Sequence, residues 1–562
     1  MKTIVFEYFS NNFNINFRFR IALFLLLISG GFNAFSQQKY RYLVLLKDKI
    51  GTPFSINQPL DFLSQRAIDR RFKQGIRINE SDLPPNPAYL TSITQTGATV
   101  VYKSRWMNAA LVEATETQKN AILNLSFVRG IEFNRPLKQI RTKNTFDKFA
   151  IENTQTLNYG DANAQILMLG ADKMHQRGFR GEGMLIAVLD DGFLNVNTSV
   201  CLQHLITNNR ILQVYDFVDN DQTVYTQGGH GTSVLSTIAG YVPSQMIAPA
   251  FEAQFALFRT EDVVTETRVE EAYWLFAAER ADSLGADVIN TSLGYSLFDN
   301  PADNYTTAQM DGKTALCTRA ADLAAERGMA VVISAGNSGN SSWGIITAPA
   351  DADSVLAVGA VSRTGSYASF SSRGNTADGR IKPDVVAVGS GTALCGTSGF
   401  PSTSSGTSFS APLISGLVAG FWQANPHLTA NEVLTCIRKS GHQFTAPTTQ
   451  LGYGKGNFER ADSVAKAEFA ISPIAADNNM VSVTVLPSNK SDVVLKFSNS
   501  LMNNQLRTTF INLNTKQIIF QDSFILNSAN ITKTISTNEI EPNTILRIED
   551  LTQKKTLKIM RW

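Results

Sequence analysis

Four short stretches of the chain carry residue types that complement one another chemically. The apolar run Leu185-Ile-Ala-Val-Leu ends in Asp190-Asp191-Gly192, and Gly229-His230-Gly231-Thr232 opens the helix-like stretch SVLSTIAG. Ser334-Ala335-Gly336-Asn337-Ser338-Gly339 follows a second apolar run, and Gly406-Thr407-Ser408-Phe409-Ser410-Ala411-Pro412 opens the apolar LISGLVAGFW, which stops before Pro426. A serine hydroxyl is a poor nucleophile at neutral pH unless a base lies within hydrogen-bond reach and a carboxylate holds that imidazole in the right tautomer. Ser408 fits the nucleophile, His230 the general base and then acid, and Asp190 the orienting carboxylate. The oxyanion of a tetrahedral intermediate needs preorganised donors, and the side-chain amide of Asn337 and the backbone N–H of Ser408, at a helix N-terminus, fit that need. The chemistry these residues could do together is acyl transfer.

Taken singly, each residue is structural more often than catalytic: Asp190 as a strand-end cap, His230 as a loop histidine. It is the combination that argues for a site. Asp191 competes with Asp190 for the orienting role. His175, His204, His427 and His442 lack a comparable context and are expected in surface or capping roles. The acidic stretches around Asp216, Asp219 and Asp221, and from Asp299 to Asp311, fit a solvated loop better than a calcium site, because they lack the spacing of a defined calcium loop. A structural calcium is therefore not assignable to ligands, and no other metal or cofactor is expected. Cys201, Cys317, Cys395 and Cys436 allow three pairings, among which the sequence does not choose; one or two disulfides and plain buried thiols all remain open. With no CxxC and no His/Cys cluster, a zinc site is not expected.

The elements that must position these residues follow an α/β pattern. Between 151 and 470, short apolar runs (Leu185–Leu189, Asp287–Ser292, Ala330–Ala335, Ser354–Val361, Asp384–Val388) each suit a strand buried on both faces. The amphipathic stretches Glu266–Leu284 and Thr314–Arg327 suit helices ending at Gly285 and Gly328. Alternating helices and buried strands predict a three-layer parallel sheet covered on both sides, with the site at the carboxyl ends of the strands. Residues 37–150 read as a small α+β unit of the split βαβ (ferredoxin-like) kind: a strand at Tyr40–Leu46, helices at Ser64–Gln74, Pro87–Gln95 and Glu116–Leu125, paired extended segments over Ala98–Ala114, and a last strand at Gly130–Phe133. Residues 471–562, rich in Asn, Ser, Thr, Ile and Val, read as a small β-sandwich-like domain.

The amino terminus has its own logic. Ile21 to Phe35 is one apolar run preceded by Arg18 and Arg20 and followed by Ser36-Gln37-Gln38. It is shorter than the about 20 apolar residues a span needs. Its basic flank and the small residues Ala34 and Ser36 suit a signal peptide, 1–36, cut after Ser36. The long preceding region, which contains Glu7, keeps an uncleaved anchor or a buried helix open. No other run is apolar enough to span, so the protein is expected to be exported and extracellular or at the cell surface, with no stable transmembrane segment.

The 562 residues are 43% apolar and 17% charged, with a formal net charge of +2, which argues against disorder, a nucleic-acid binder and a polybasic membrane anchor. The total conceals an uneven distribution. Residues 39–150 carry 18 basic and 9 acidic side chains, and residues 151–470 carry 19 and 31.

The quoted motifs resemble those of the subtilisin-like serine peptidases, the subtilase family. VLDDG is similar to its Asp motif, GHGTSV to its His motif, GTSFSAP to its Ser motif and SAGNSG to its oxyanion-asparagine motif; Asn290-Thr-Ser292-Leu293-Gly294 is similar to its substrate-binding edge strand. The Asp–His–Ser order is that of subtilisin, and no GxSxG elbow surrounds Ser408. FSSRG (370–374), IKPDVVAVG (381–389) and LGYGKG (451–456) extend the resemblance over about 300 residues. Two positions depart from the family pattern: Asp191 follows the catalytic aspartate, and Ser233 stands where a second histidine is frequent.

The resemblance implies a secreted serine endopeptidase, made as a zymogen, working through an acyl-enzyme on Ser408 and binding extended protein or peptide substrates along Ser292, Leu293 and Gly294. It implies a specificity pocket near Ser292–Tyr295, Ser334–Gly336 and Thr347, with no acid at its base and hence no strict Lys/Arg preference. It makes residues 37–150 an inhibitory propeptide, so the chain's own basic amino-terminal piece becomes a partner of the acidic peptidase, through an attraction that salt should weaken. The tail resembles, more distantly, the sorting domains of type IX secretion substrates: Val485-Leu-Pro-Ser-Asn and Lys555-Thr-Leu-Lys-Ile-Met stand where that family has its opening and closing motifs. This adds secretion machinery to the expected partners, the alternative being an accessory domain that packs on the peptidase or binds a surface. The rival function is a secreted pseudoprotease or adhesin acting through the β-rich tail.

Overall fold

The structure, a computed structural model, describes residues 38–139, 159–469, 481–485, 492–512, 518–528, 532–536, 544–552 and 555–561. The expected signal segment, 1–36, lies outside the described residues.

The amino-terminal unit contains β1 (Tyr40–Leu46), α1 (Gln65–Lys73), α2 (Pro87–Gln95), β2 (Thr99–Ser104), β3 (Ala109–Ala114), α3 (Glu116–Leu123), β4 (Val128–Ile131) and the short β5 (Lys138–Gln139). Its sheet is antiparallel with order β2-β3-β1-β4, the ferredoxin-like arrangement expected, and β5 adds to β1. Local chemistry starts the helices where the sequence places them. Asn86 accepts the Ala88 amide at 2.8 Å ahead of Pro87, and Thr115 and Gln118 cap α3 reciprocally. The two-residue period of β3 divides its side chains: Ala110, Val112 and Ala114 pack against Ile93 and Ile122 of the unit's own helices, whereas Ala109 and Leu111 join the core of the next domain.

The central domain is built on a seven-stranded, wholly parallel sheet. Its members, with the helices that matter for the site, are β6 (Leu185–Asp190), β7 (Ile211–Asp216), α4 (His230–Ala239), β8 (Gln254–Arg259), α5 (Val269–Leu284), β9 (Val288–Thr291), α6 (Leu316–Glu326), β10 (Ala330–Ser334), β11 (Leu356–Ser362) and β12 (Val385–Ser390). The hairpin β13 (Thr392–Cys395) and β14 (Pro401–Ser404) leads into α7 (Thr407–Ala424). The order is β12-β11-β10-β9-β6-β8-β7, so β6 lies between the last strand of one wing and the first of the other. Burial on both faces explains the continuous apolar runs: Leu185, Ala187 and Leu189 enter the core beneath α5 and α6, while Ile186 and Val188 enter the core beneath α4 and α7.

β7 and β8 were not expected as strands. β7 is an edge strand with Leu212 half exposed, and β8 opens and closes on polar residues, Gln254 and Arg259, so neither carries the signature of a long doubly buried run. α5 starts at Val269 rather than Glu266, because Glu270 accepts the Thr267 amide at 2.9 Å and fixes the preceding turn. It ends as expected at Gly285, whose φ of 86° lets its amide reach the Ala281 and Asp282 carbonyls.

The open cysteine question resolves as one bridge, Cys201–Cys395, with Cys317 and Cys436 as buried thiols. The carboxyl-terminal strands form two antiparallel sheets over a shared core of Leu495, Phe497, Leu506, Phe510, Leu546 and Ile548. This matches the β-rich domain expected. Lys555–Met560 lies in its last strand, and Leu486–Asn489 lie outside the described residues. Among the described residues no helix is long and apolar enough to cross a membrane.

The amino-terminal unit packs on α5 through charge as well as apolar surface. Asp282, wholly buried, meets the guanidinium groups of Arg70, Arg71 (2.6 Å) and Arg105 (3.0 Å). One turn earlier, Glu279 accepts the amides of Arg105 (2.8 Å) and Trp106 (3.3 Å). Burial works against a charged Asp282, but Arg71, Arg70 and Arg105 overcome it and hold the carboxyl down at about 2.

Candidate functional site

β6 delivers Asp190 at its carboxyl end, next to β9, where the chain changes direction along the sheet. The imidazole of His230, the first residue of α4, reaches back so that Nδ1 lies 2.7 Å from Asp190 Oδ1. The same oxygen accepts the Asp191 amide at 2.9 Å. Asp190 Oδ2 is buried without a partner, so this carboxylate faces the imidazole in a pocket with little other solvation. Gly231 permits the close approach: a Cβ there would stand 2.3 Å from the Gly192 carbonyl oxygen and 2.9 Å from Asp190 Cβ.

Asp191 does different work from its neighbour. Its Oδ1 accepts the Gly231 amide at 3.0 Å and its Oδ2 the His230 amide at 3.4 Å, so it caps the helix that presents the imidazole. Burial and the charge of Asp190 raise the Asp191 carboxyl to about 7. For His230, burial favours the neutral ring, but the Asp190 carboxylate, with Asp191 and Glu261 behind it, outweighs burial and raises the imidazole to about 9.

Ser408 sits in the first turn of α7, where no upstream helical carbonyl serves the backbone amides. Its hydroxyl donates to the Ser292 carbonyl at 3.3 Å, and the Ser292 hydroxyl returns a bond to the Ser408 carbonyl at 2.8 Å, tying the helix start to the end of β9. Asn337 follows β10. Its Oδ1 accepts both the amide (2.8 Å) and the hydroxyl (2.9 Å) of Thr407, which fixes the flip of the side chain and leaves its NH2 group to donate. One cavity of about 200 Å³ is lined by His230, Ser408, Asn337, Ser292, Leu293 and Gly294 together. The structure thus brings every site residue expected from the sequence, Asp190 included, to one end of the sheet.

Comparison with known proteins adds the family. Residues 181–456 match the model described as the subtilase family, and residues 41–148 match one described as a peptidase S8 propeptide domain of Bacteroidota. This chain belongs to the subtilase family. It is 29% identical to subtilisin DY of Bacillus licheniformis, over 54% of this chain and 96% of that protein. It is 27% identical to serine protease AprX of Bacillus subtilis (strain 168), over 64% and 80%, and 29% identical to subtilisin E of the same strain, over 55% and 72%. At family level this subtilase is a serine peptidase with a propeptide domain.

The subtilase also holds site features that the sequence reading missed or misjudged. Glu261, Glu266 and Glu270 line the same cavity as Ser408, with a carboxylate oxygen of each within 4.8 Å of the others. Burial raises Glu261 to about 8 and also raises Glu270 well above the usual carboxylate range, and both are engaged: Tyr295 donates to Glu261 at 2.6 Å, and the Asp262 and Thr267 amides donate to Glu270 at 2.9 Å. The signal for them was present in the polar RTED following the apolar FALF.

Asp216 is not in a solvated loop. It is buried at 2.6 Å from Arg259, which also reaches Asp219 at 3.0 Å and the Asp191 carbonyl at 3.0 Å. Arg259 thus braces the backbone beside Asp190 and is paired with both carboxylates. Nor is His175 at the surface: it is buried, with Nε2 2.9 Å from the Pro249 carbonyl and the Tyr159 hydroxyl 3.3 Å from Nδ1. His204 is half-buried against the Phe251 carbonyl, and His442 Nδ1 accepts the Lys455 amide at 2.9 Å, a capping role as expected.

Proposed function

We propose that this subtilase is a secreted serine endopeptidase, made as a zymogen, that hydrolyses peptide bonds through an acyl-enzyme on Ser408. The observation that carries the reading is the 2.7 Å contact between Asp190 and His230 Nδ1, in a site whose cavity His230 shares with Ser408 and Asn337. Asp190 fixes the tautomer with Nδ1 protonated, so Nε2 is the atom that takes the Ser408 proton as Oγ attacks the carbonyl carbon and later returns it to the leaving amine. The developing oxyanion is met by the Asn337 NH2 group and the Ser408 amide. Ser292–Gly294 pairs with the substrate backbone as an added strand, which orients the scissile bond and would favour extended polypeptide over compact protein.

Export rests on the run Ile21–Phe35 with its basic flank, and zymogen behaviour on the propeptide-domain match over 41–148. The full-length chain, expressed in its own cellular context, should appear in the medium trimmed of both segments and hydrolyse unfolded casein. Ser408→Ala should be exported without the signal segment, retain its propeptide and be inactive. Hydrolysis retained by Ser408→Ala would overturn the assignment of the nucleophile. A wild-type chain retained inside the cell would overturn secretion, and one that is exported but hydrolyses nothing would favour the adhesin reading.

A further inference from the structure

One sheet of the carboxyl-terminal domain is buried on both faces. Its strands Gln505–Asn512 and Thr544–Asp550 pair antiparallel with Arg507 opposite Glu549, and alternate residues point to opposite sides. One side, with Leu506, Phe510, Leu546 and Ile548, fills the domain's own core. The other carries Arg507, Thr509, Ile511, Arg547 and Glu549, none of them more than 7% exposed. A sheet face with three charged side chains suits water, so its burial asks what covers it.

The cover is the rest of this chain. Arg547 Nη1 donates to the His427 carbonyl of the peptidase at 2.6 Å. Arg507 lies on the amino-terminal unit: a Cβ on Gly75 would stand 2.7 Å from Arg507 Nη2 and 3.1 Å from Nη1. Glu549 joins the two guanidinium groups, accepting from Arg507 Nε at 2.8 Å and lying 2.9 Å from Arg547 Nη2. Gly75 closes α1 in a left-handed turn, φ 77°, from which the Ile76 amide reaches back to the Arg71 carbonyl at 2.8 Å. Such a turn holds the negative end of the helix dipole, where a cation is stabilising. The peptidase grips the same turn from its other side, since Gln74 Nε2 donates to the Gly328 carbonyl at 2.7 Å and Gln74 Oε1 accepts the Ala430 amide at 2.8 Å. Ile511 faces a cavity of about 440 Å³ walled by Arg66 and Asp69 of α1 and by Trp422 and Leu428 of the peptidase. The docked face therefore sits where all three parts of the chain meet.

We propose that the carboxyl-terminal domain is a latch on the zymogen. Its outer sheet face docks on the junction of propeptide and peptidase, and Arg507 clamps the closing turn of α1, so the propeptide leaves more slowly while the tail is in place. This rests on the zymogen reading, in which residues 41–148 inhibit. The tie runs both ways. Loss of the propeptide uncovers Arg507, and loss of the tail frees the Gln74–Gly75 turn on one side. The charged character of the face suits a contact made to part, because permanent interfaces are more hydrophobic.

The test has two arms. In the first, active sites of the secreted full chain are counted over time by a fluorophosphonate. Arg507→Gln, which leaves Glu549 paired with Arg547, should shorten the lag before sites appear by about 3- to 30-fold, the range for a cation at a helix end, without changing the final count or kcat/KM. In the second, the tail is severed by a site-specific protease at a recognition sequence inserted between it and the peptidase. The affinity of the severed tail is then measured for the unprocessed Ser408→Ala chain and for the processed enzyme. Coupling is reciprocal, so the propeptide should tighten tail binding by the same about 3- to 30-fold. A lag unchanged in Arg507→Gln, or equal tail affinity in the two states, overturns the latch while leaving the zymogen reading intact. A full chain that labels completely with its propeptide attached overturns both. The affinity comparison decides the matter even where Arg507→Gln fails to fold.

Discussion

Asp191 caps the helix that carries His230: the two carboxylate oxygens of Asp191 accept the backbone amides of His230 and Gly231, while the preceding Asp190 binds the imidazole of the same residue. Two adjacent acids thus hold one histidine by its backbone and by its ring. The position at which the chain departs from the usual family pattern is a second, separate grip on His230, the proposed general base.

That grip has a consequence in pH. The imidazole is raised to about 9 by the charges around it, chiefly Asp190 against the opposing effect of burial, so the neutral base accumulates only as pH rises through the alkaline range. kcat/KM should therefore climb on its acidic limb at higher pH than an ordinary histidine would give. Asp191→Asn removes a charge and keeps only one of the two bonds from the backbone amides, because its NH2 group cannot accept, and its acidic limb should move to lower pH. pH–rate profiles of the two proteins measure this; coincident profiles would contradict it.

The propeptide should be held by a charge centre that acid barely touches. Asp282 has a depressed carboxyl pKa, so its contribution is fully present above the ordinary carboxylate range and is lost only as pH falls through about 2. The inhibition constant of added propeptide should be nearly flat from neutral to mildly acidic pH. Asp282→Asn leaves Arg70 buried without its carboxylate partner, while Arg71 keeps Asp82 at 2.8 Å and Arg105 keeps Glu279 at 3.6 Å, and should weaken inhibition by about 3–5 kcal/mol, roughly two to four decades.

Salt should matter less than the opposite charges of the two segments suggest. The pairs at Asp282 are sealed from solvent, whereas Arg66–Asp287 and Arg135–Asp303 lie at a rim where the arginines are about a third exposed. Screening acts on the rim. Raising ionic strength should shift the inhibition constant modestly for the wild-type propeptide, and less for one with Arg66 and Arg135 replaced by alanine, in which the Glu132–Arg319 pair remains at the rim.

Asn337→Ala should lower kcat by about 10²–10³ with little change in KM, because its NH2 group is held by Thr407 for an oxyanion that exists only in the transition state. A change confined to KM would show that Asn337 serves ground-state binding.

The bridge Cys201–Cys395 spans 194 residues and ties the loop after β6 to the hairpin before α7. Removing it should cost about 2–5 kcal/mol of stability. Cys201→Ser with Cys395→Ser should show a lowered Tm, while replacing the buried thiol Cys436 by alanine should leave the bridge intact by mass.

Much of this site was legible because each motif marks a physical necessity. Asp190 ends a run whose alternate residues fill two cores, Gly231 is required by the approach of the Gly192 carbonyl, and Gly285 closes a helix in a left-handed turn. What escaped the sequence depends on which distant segments meet. Asp216 looked solvated because only the pairing of β7 with β8 sets Arg259 beside it. Glu261 and Glu266 reach the cavity from the loop after β8, a strand whose polar ends hid it, and Glu270 from the first turn of α5. His175 carries no sign of the Tyr159 and Pro249 partners that bury it, and no spacing rule singles out Cys201 and Cys395 from the three available pairings.

The most direct measurement is the position of a covalent fluorophosphonate adduct on the secreted, processed protein, read by mass spectrometry of its peptides. The account predicts one adduct, on Ser408, absent in Ser408→Ala and strongly reduced in His230→Ala. An adduct on another serine, or none after the propeptide has been removed, would contradict it.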